Sequence, residues 1–421
     1  MGIGMAAYPA YDNYKDSGVE WIGVIPDHWE VRRSKFLFSQ SKELARSNDI
    51  QLSATQSHGV IPQAEYQDMV GRRVTQIQTN LEKRKHVEID DFVISMRSFQ
   101  GGIERAKAAG CIRSSYIILK PGPKIHPAFY AYVLKAPRYI HALQITGHFI
   151  RDGQDLNFEN FSAVDLFEIP VLEQRAIAAF LDEKCAGVDE AVRIKEQQIV
   201  LLRERRQILI QEAVTRGLTP DAPMKDSGID WIGQIPAHWD VKSIRYAFRF
   251  RNNQRVPISA SEREDKQGEY PYYGASGIID YVQDYIFDED LILIAEDGAN
   301  LLSKSTPLAF VATGKYWVNN HAHILEPLFP GFKYWAELLS AADYTVYISG
   351  SAQPKLTRDR LGSVRVPVPP ADERTAITSF IEQKSEKFRN AIAIKESQIA
   401  ALKEYKTSLI NAAVTGKIKV I

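Results

Sequence analysis

Cysteine is scarce in this 421-residue chain, with only Cys111 and Cys185 present. Two distant thiols offer neither a metal-ligand spacing nor a disulfide framework, so a reducing, cytoplasmic setting is expected. No apolar run approaches the ~18 residues that would span a bilayer, and the opening MGIGMAAYPAYDN lacks a signal-peptide pattern, so no membrane partner is expected. Net charge is missing as well: 52 Lys and Arg balance 52 Asp and Glu. A polyanionic partner would have to be met by local patches, not by overall basicity. Low-complexity sequence is lacking too, and 45% hydrophobic with 25% charged residues is the composition of a folded chain of two or three domains, at roughly 150 residues each.

Catalytic signatures are equally sparse. The only Pro-Pro, Pro369–Pro370, precedes Ala371, so there is no Asn/Asp-Pro-Pro-aromatic tetrapeptide for amino methylation. Gly314–Lys315 has Ala309 where a phosphate-binding loop needs its first glycine. The acid-x-Lys triplets Glu264-Asp265-Lys266 and Glu382-Gln383-Lys384 fall in an expected loop and an expected helix, not on a buried nuclease strand. His321-Ala322-His323 has no cysteine or carboxylate at metal-ligand spacing. No catalytic residue, metal or cofactor is expected in this chain.

What is present is a repeat. KDSGVEWIGVIPDHWEV (15–31) returns as KDSGIDWIGQIPAHWDV (225–241), and the two copies hold four of the six tryptophans. A second duplicated block, Glu173 to Thr215 and Glu373 to Thr415, follows each copy. Seven-residue steps from Leu181 and Ile381, with the positions four further on, give twenty sites of which fifteen are apolar. That is a coiled-coil seam, with basic interruptions at Lys195, Arg206, Lys395 and Lys406 and a serine at Ser385. Pro170 and Pro369–Pro370 set the helix starts, and Gly217 and Gly416 the ends. Forty residues would make a rod of roughly 60 Å. The expected order is a first domain over 1–170, a helix over 171–217, a second domain over 218–368 and a helix over 369–421. The repeat implies a pseudo-twofold.

Between the repeats the two domains share a grammar but little identity. DDFVISMRSFQGG and EDLILIAEDGAN each run a short apolar strand into a polar turn. A second strand is expected in GCIRSSYIILKPG and in GKYWVNNHAHILEP. With helical stretches such as HPAFYAYVLKAPRYIHALQ, this predicts mixed α+β domains.

The KDSG-x-x-WIG-x-IP-x-HW box, DFVISMRSFQGGIE, YPYYGASGIIDYV with VNNHAHIL, and GSAQPKLTRDRLGSVRVPVPP together resemble the specificity subunit of type I restriction–modification systems, over nearly the whole chain and twice. The resemblance implies two target-recognition domains separated by two long antiparallel helices. It also implies a DNA-binding subunit without chemistry of its own, in a complex with two adenine-N6 methyltransferase subunits, which use S-adenosylmethionine, and with restriction subunits, which use ATP and Mg. Each domain would read half of a split double-stranded target. The short tandem repeats that set spacer length in some relatives are missing around Ile208 to Thr219. A self-contained methyltransferase or nuclease, or a coiled-coil scaffold without base readout, are the competing readings.

Candidate DNA contacts follow. Val70 to Lys120 holds ten Lys and Arg against five Asp and Glu, densest at Arg72-Arg73 and Lys83-Arg84-Lys85, the local excess that phosphate neutralisation needs. Past the first strand, Arg97, Ser98 and Gln100 offer base-edge donors, and Gly101-Gly102 allow close backbone approach. The matching place in the second domain holds Glu296, Asp297 and Asn300, so different bases should be read. Asp297-Gly298 could equally be only a turn. Tyr273, Gly274, Ser276, Asn319, Asn320 and His321 form a further cluster, answered in the first domain by Arg113, Ser114 and Ser115. The box tryptophans should brace each domain on the helices, dock a partner, or simply pack locally.

Overall fold

The computed structural model describes residues 8–71, 83–146, 156–350 and 353–420. Compactness divides the chain into two units, residues 1–195 with 397–421, and residues 196–396. Each therefore holds one recognition domain and half of each long helix.

Both units are built on the same four-stranded antiparallel sheet. In the first, the order is Phe38–Ser41, Ile117–Pro121, Phe92–Ile94, Glu104–Arg105. In the second it is Phe248–Phe250, Ala322–Pro327, Leu291–Ala295, Ala309–Ala312. The central strands FVI and LILIA are apolar at every position because both faces are covered. On one face Phe92 and Ile94, or Ile292 and Ile294, join the main core. On the other face Val93 and Ile118, or Leu293 and Ile324, join a smaller one.

The covers over that second face differ. The first unit uses the hairpin Leu52–Thr55 and Gly59–Pro62 with the pair Lys85–Val87 and Gly110–Ile112. The second uses a sheet in the order Gly277–Val282, Gln267–Gly274, Lys315–Val318, Phe287–Asp288. Each expected second strand is thus two strands. GCIRSSYIILKPG breaks at Arg113–Ser115 and GKYWVNNHAHILEP at Asn319–His321, and the halves belong to cover and central sheet respectively. The apolar pattern runs through both breaks, so only the polar turn residues mark them.

The long helices occupy Val171–Arg216 and Ala371–Val414. All twenty seam positions are buried or half-buried. In the first unit Lys406 Nζ meets the Asp189 carboxylate at 2.7 Å and Lys195 Nζ donates to Gln398 Oε1 at 2.7 Å. Rising numbers on one helix meet falling numbers on the other, so the helices are antiparallel. Arg206, a third basic interruption of the seam, is partnered as well and reaches Glu337 at 3.3 Å.

The repeated box is a clamp on these helices. Trp29 Nε1 donates to Glu173 Oε1 at 3.1 Å, at the start of the first helix, while a Cβ on Gly416 would lie 2.4 Å from Pro26. Trp239 Nε1 donates to Glu373 Oε2 at 2.9 Å, and a Cβ on Gly217 would lie 3.1 Å from that indole. His28 and His238 hold the same two carboxylates. Each box ties the start of one helix to the end of the other, and both indoles are fully buried. Gly217 and Gly416, at φ +74° and +68°, end the helices where a side chain would also collide.

Candidate nucleic-acid interface

Sheet pairing assembles the candidate residues. Ile94 pairs with Ile117, so the loop after Phe92–Ile94 and the turn Arg113–Ser115 share one end of the first unit's sheet. Ala295 pairs with Ala322 in the second unit, which puts Glu296–Asn300 beside Asn319–His321.

In the first unit this sheet end and the covering hairpin enclose a cleft of about 870 Å³. Arg84, Arg97, Gln100, Gly102 and Arg113 line it, joined by Gln51, Gln56, Gln63 and Tyr66. Arg97, Gln100, Arg113, Ser114 and Ser115 are exposed. Ser98 is buried and closes the loop, its Oγ accepting from Ser95 N at 2.9 Å. Gly102, at φ +84°, has no room for a side chain, since a Cβ would lie 2.5 Å from the Leu134 carbonyl oxygen. Gly101 packs on Gln56. Among the basic residues Lys83 is exposed, whereas Arg84 is buried near Cys111. Lys85 donates to the Tyr116 carbonyl at 2.6 Å, and burial, then Lys42, lowers its pKa. Arg72 and Arg73 lie outside the described residues.

The cleft wall also holds Glu104, which is buried. Its carboxyl is pushed up to about 7 by burial, against the pull of Lys135, whose Nζ stands 2.8 Å away.

The second unit neutralises itself. Glu296 meets Arg255 at 2.7 Å and Lys355 at 3.3 Å. Burial raises its pKa, but the Arg255 hydrogen bond and the neighbouring His323 and Lys355 outweigh that and leave it below the ordinary range. Asp297 is engaged by His321 Nδ1 at 2.8 Å. Neither carboxylate is bare, so the acidic turn expected to read different bases from the first domain's is already paired within the unit. What stands outward is Asn320, the His321 ring and, at the tip of the neighbouring hairpin, Ser276. Asn319 is buried and caps the turn, its Oδ1 accepting from His321 N at 2.8 Å. Asn300 spends its amide on Thr306 and Ser305. Tyr273 packs on Phe310 and Tyr316, and Gly274 is buried.

His321 and His323 do not converge. His323 is buried, with Nε2 on the Leu356 carbonyl at 2.7 Å and Nδ1 on Asn252 at 2.8 Å, and burial lowers its pKa. Among the described residues no group of three His, Cys, Asp or Glu could hold a metal, and no helix is long and apolar enough to cross a membrane. Sequence reasoning missed the glutamines of the cover. The signal was the polar run QLSATQSHG, too hydrophilic for a strand with no ligand to face.

Residues 236–404 match the family described as "Type I restriction modification DNA specificity domain". A Haemophilus influenzae protein provisionally named a type I restriction enzyme specificity subunit is 35% identical over 31% of this chain and 33% of its own length. A Methanocaldococcus jannaschii protein provisionally named the MjaX specificity subunit is 22% identical over 95% of this chain and 96% of its own. Among solved structures, the HsdS subunit from Thermoanaerobacter tengcongensis aligns at TM-score 0.52 and 14% identity over 94% of this chain and 98% of its own. A chain from a study of complex assembly in the type I R-M system aligns at TM-score 0.67 and 12% identity over 93% and 98%.

Proposed function

We propose, from the premise that this chain belongs to the type I restriction–modification specificity-subunit family, that it reads a split, asymmetric DNA target and directs adenine-N6 methylation and restriction by other subunits. Residues 1–170 and 218–368 each take one half-site. Two methyltransferase subunits carrying S-adenosylmethionine and restriction subunits using ATP and Mg supply the chemistry, in the cytoplasm. The observation that carries the reading is one sheet present twice, with unlike side chains at the same end. The first presents an arginine- and glutamine-lined cleft, suited to guanine and adenine edges, and the second a neutralised imidazole–amide turn.

Replacing residues 32–170 with another recognition domain, followed by mapping of methylated adenines, tests it. One half of the target should change while the other half and the gap persist. A shift of both halves together would contradict separate readers. Purified chain that modified DNA unaided would instead support a self-contained enzyme, and DNA affinity indifferent to Arg97→Ala would support a scaffold.

A further inference from the structure

Resting on the reading that the second unit contacts bases, we propose that Ile279 is a thymine reader, meeting the C5-methyl group of one thymine in the major groove of that unit's half-site. The hairpin of Gln267–Gly274 and Gly277–Val282 turns through Ala275 and Ser276. Its register pairs Tyr272 with Asp280 and Tyr273 with Ile278, leaving Ile279 as an extra, unpaired residue. Such a bulge breaks the in–out alternation and re-aims a side chain. As a result Ile278 and Ile279 are both exposed, at 45% and 53%.

Ile279 is not loose on the surface. It lies over Gly274, where a Cβ would come within 3.1 Å of its Cγ2 and 3.4 Å of Asn319 Nδ2. The glycine makes a seat in which the isoleucine lies next to the turn that projects Asn320 and His321. The adjacent Asp280 is held by Arg263 at 2.9 Å, so no bare carboxylate stands there to repel a phosphate. A two-stranded ribbon fits the major groove, and the thymine methyl is the apolar feature displayed there. An apolar side chain set beside polar donors is complementary to that pattern. The first unit's hairpin turn carries Gln56 and Ser57 at its tip and offers no such contact.

The test uses the full chain and duplexes carrying its mapped target, with each thymine of the second half-site replaced singly by deoxyuridine, which removes only the methyl group. At one position wild-type affinity should fall about fourfold, the worth of one buried methyl-sized group. Ile279→Ala should lose a similar factor on thymine DNA and be indifferent to uracil at that position, while Ile279→Val keeps most of the effect. Uracil tolerated everywhere, or an Ile279→Ala chain as sensitive as wild type, overturns the proposal. So does a loss of partner-subunit capture by Ile279→Ala with DNA affinity unchanged, which would make the tip a protein contact. A chain that shows no preference for the second half-site at all refutes the underlying reading. Failure of Ile279 alone would leave that preference intact.

Discussion

The two units hold the same four-stranded sheet and the same tryptophan clamp, yet their outward ends differ in electrostatic character, one basic and the other neutralised. In the first unit, arginines and glutamines line an open cleft. In the second, Glu296 and Asp297 are each matched by a cation or imidazole within a few ångströms. The shared parts include residues fully withdrawn from water, such as Trp29, Trp239 and the central strands, where a changed volume leaves a cavity or a clash. The divergent parts are turns and covers, where backbone geometry tolerates many side chains. A frame constrained by packing can therefore carry two unrelated readers.

The comparison is broken most severely at the clamp. Trp29→Ala and Trp239→Ala should each cost about 3–5 kcal/mol, the range for emptying a large buried aromatic site. Denaturant unfolding should show similar losses for both, and a large loss for only one would mean the frames are not equivalent. Next comes the neutralised network. Arg255→Ala leaves Glu296 half-buried with Lys355 as its remaining close cation and should cost about 2–3 kcal/mol. It should impair recognition of the second half-site and spare the first.

Readout at the cleft sharpens the contrast. Arg97→Ala should cost about 1–3 kcal/mol at one base position of the first half-site, whereas Lys83→Ala should weaken all sequences alike and flatten the salt dependence. Competition binding on point-variant duplexes separates the two outcomes.

A last contrast is a pH dependence of opposite sign in the two units. Glu104 is raised to about 7 in the folded chain. Between the ordinary carboxyl range and that value, the folded state holds a proton the unfolded state has lost. Stability therefore falls as pH rises through that window, by up to about 3 kcal/mol at ~1.4 kcal/mol per pKa unit. Glu104→Gln should remove this slope and be the more stable form at pH 8. Glu296, lowered instead, adds stability at neutral pH that is lost as pH falls through the carboxyl range.

Much of this was legible in the chain. The helices read clearly because their period persists over forty residues, and the box because it is written twice. The turns carrying Arg113–Ser115 and Asn319–His321 were visible as polar interruptions, though not as breaks between sheets. What stayed hidden was pairing at long range. Nothing local announces that Arg255 reaches Glu296, or that Asn319 caps its own turn instead of facing outward. Nor does sequence spacing reveal that Gln56 from a separate hairpin joins Arg97 in one cleft. These depend on which strands become neighbours, and that is decided by the buried faces.

The most direct test of two equivalent frames with independent readers is a chain ending at Gly217. The first unit's core includes Leu409, Ala413 and Val414 from the second helix, which such a chain lacks. Its own Leu209, Ala213 and Val214 hold the corresponding places in the repeat, so a second copy can supply them. Leaving that core open would expose apolar surface at ~25 cal/mol per Å², which favours pairing. Sedimentation should show a dimer, and methylation mapping with the partner subunit should show a palindrome of the first half-site. A folded monomer at tens of micromolar, or a target still containing the second half-site, would contradict it.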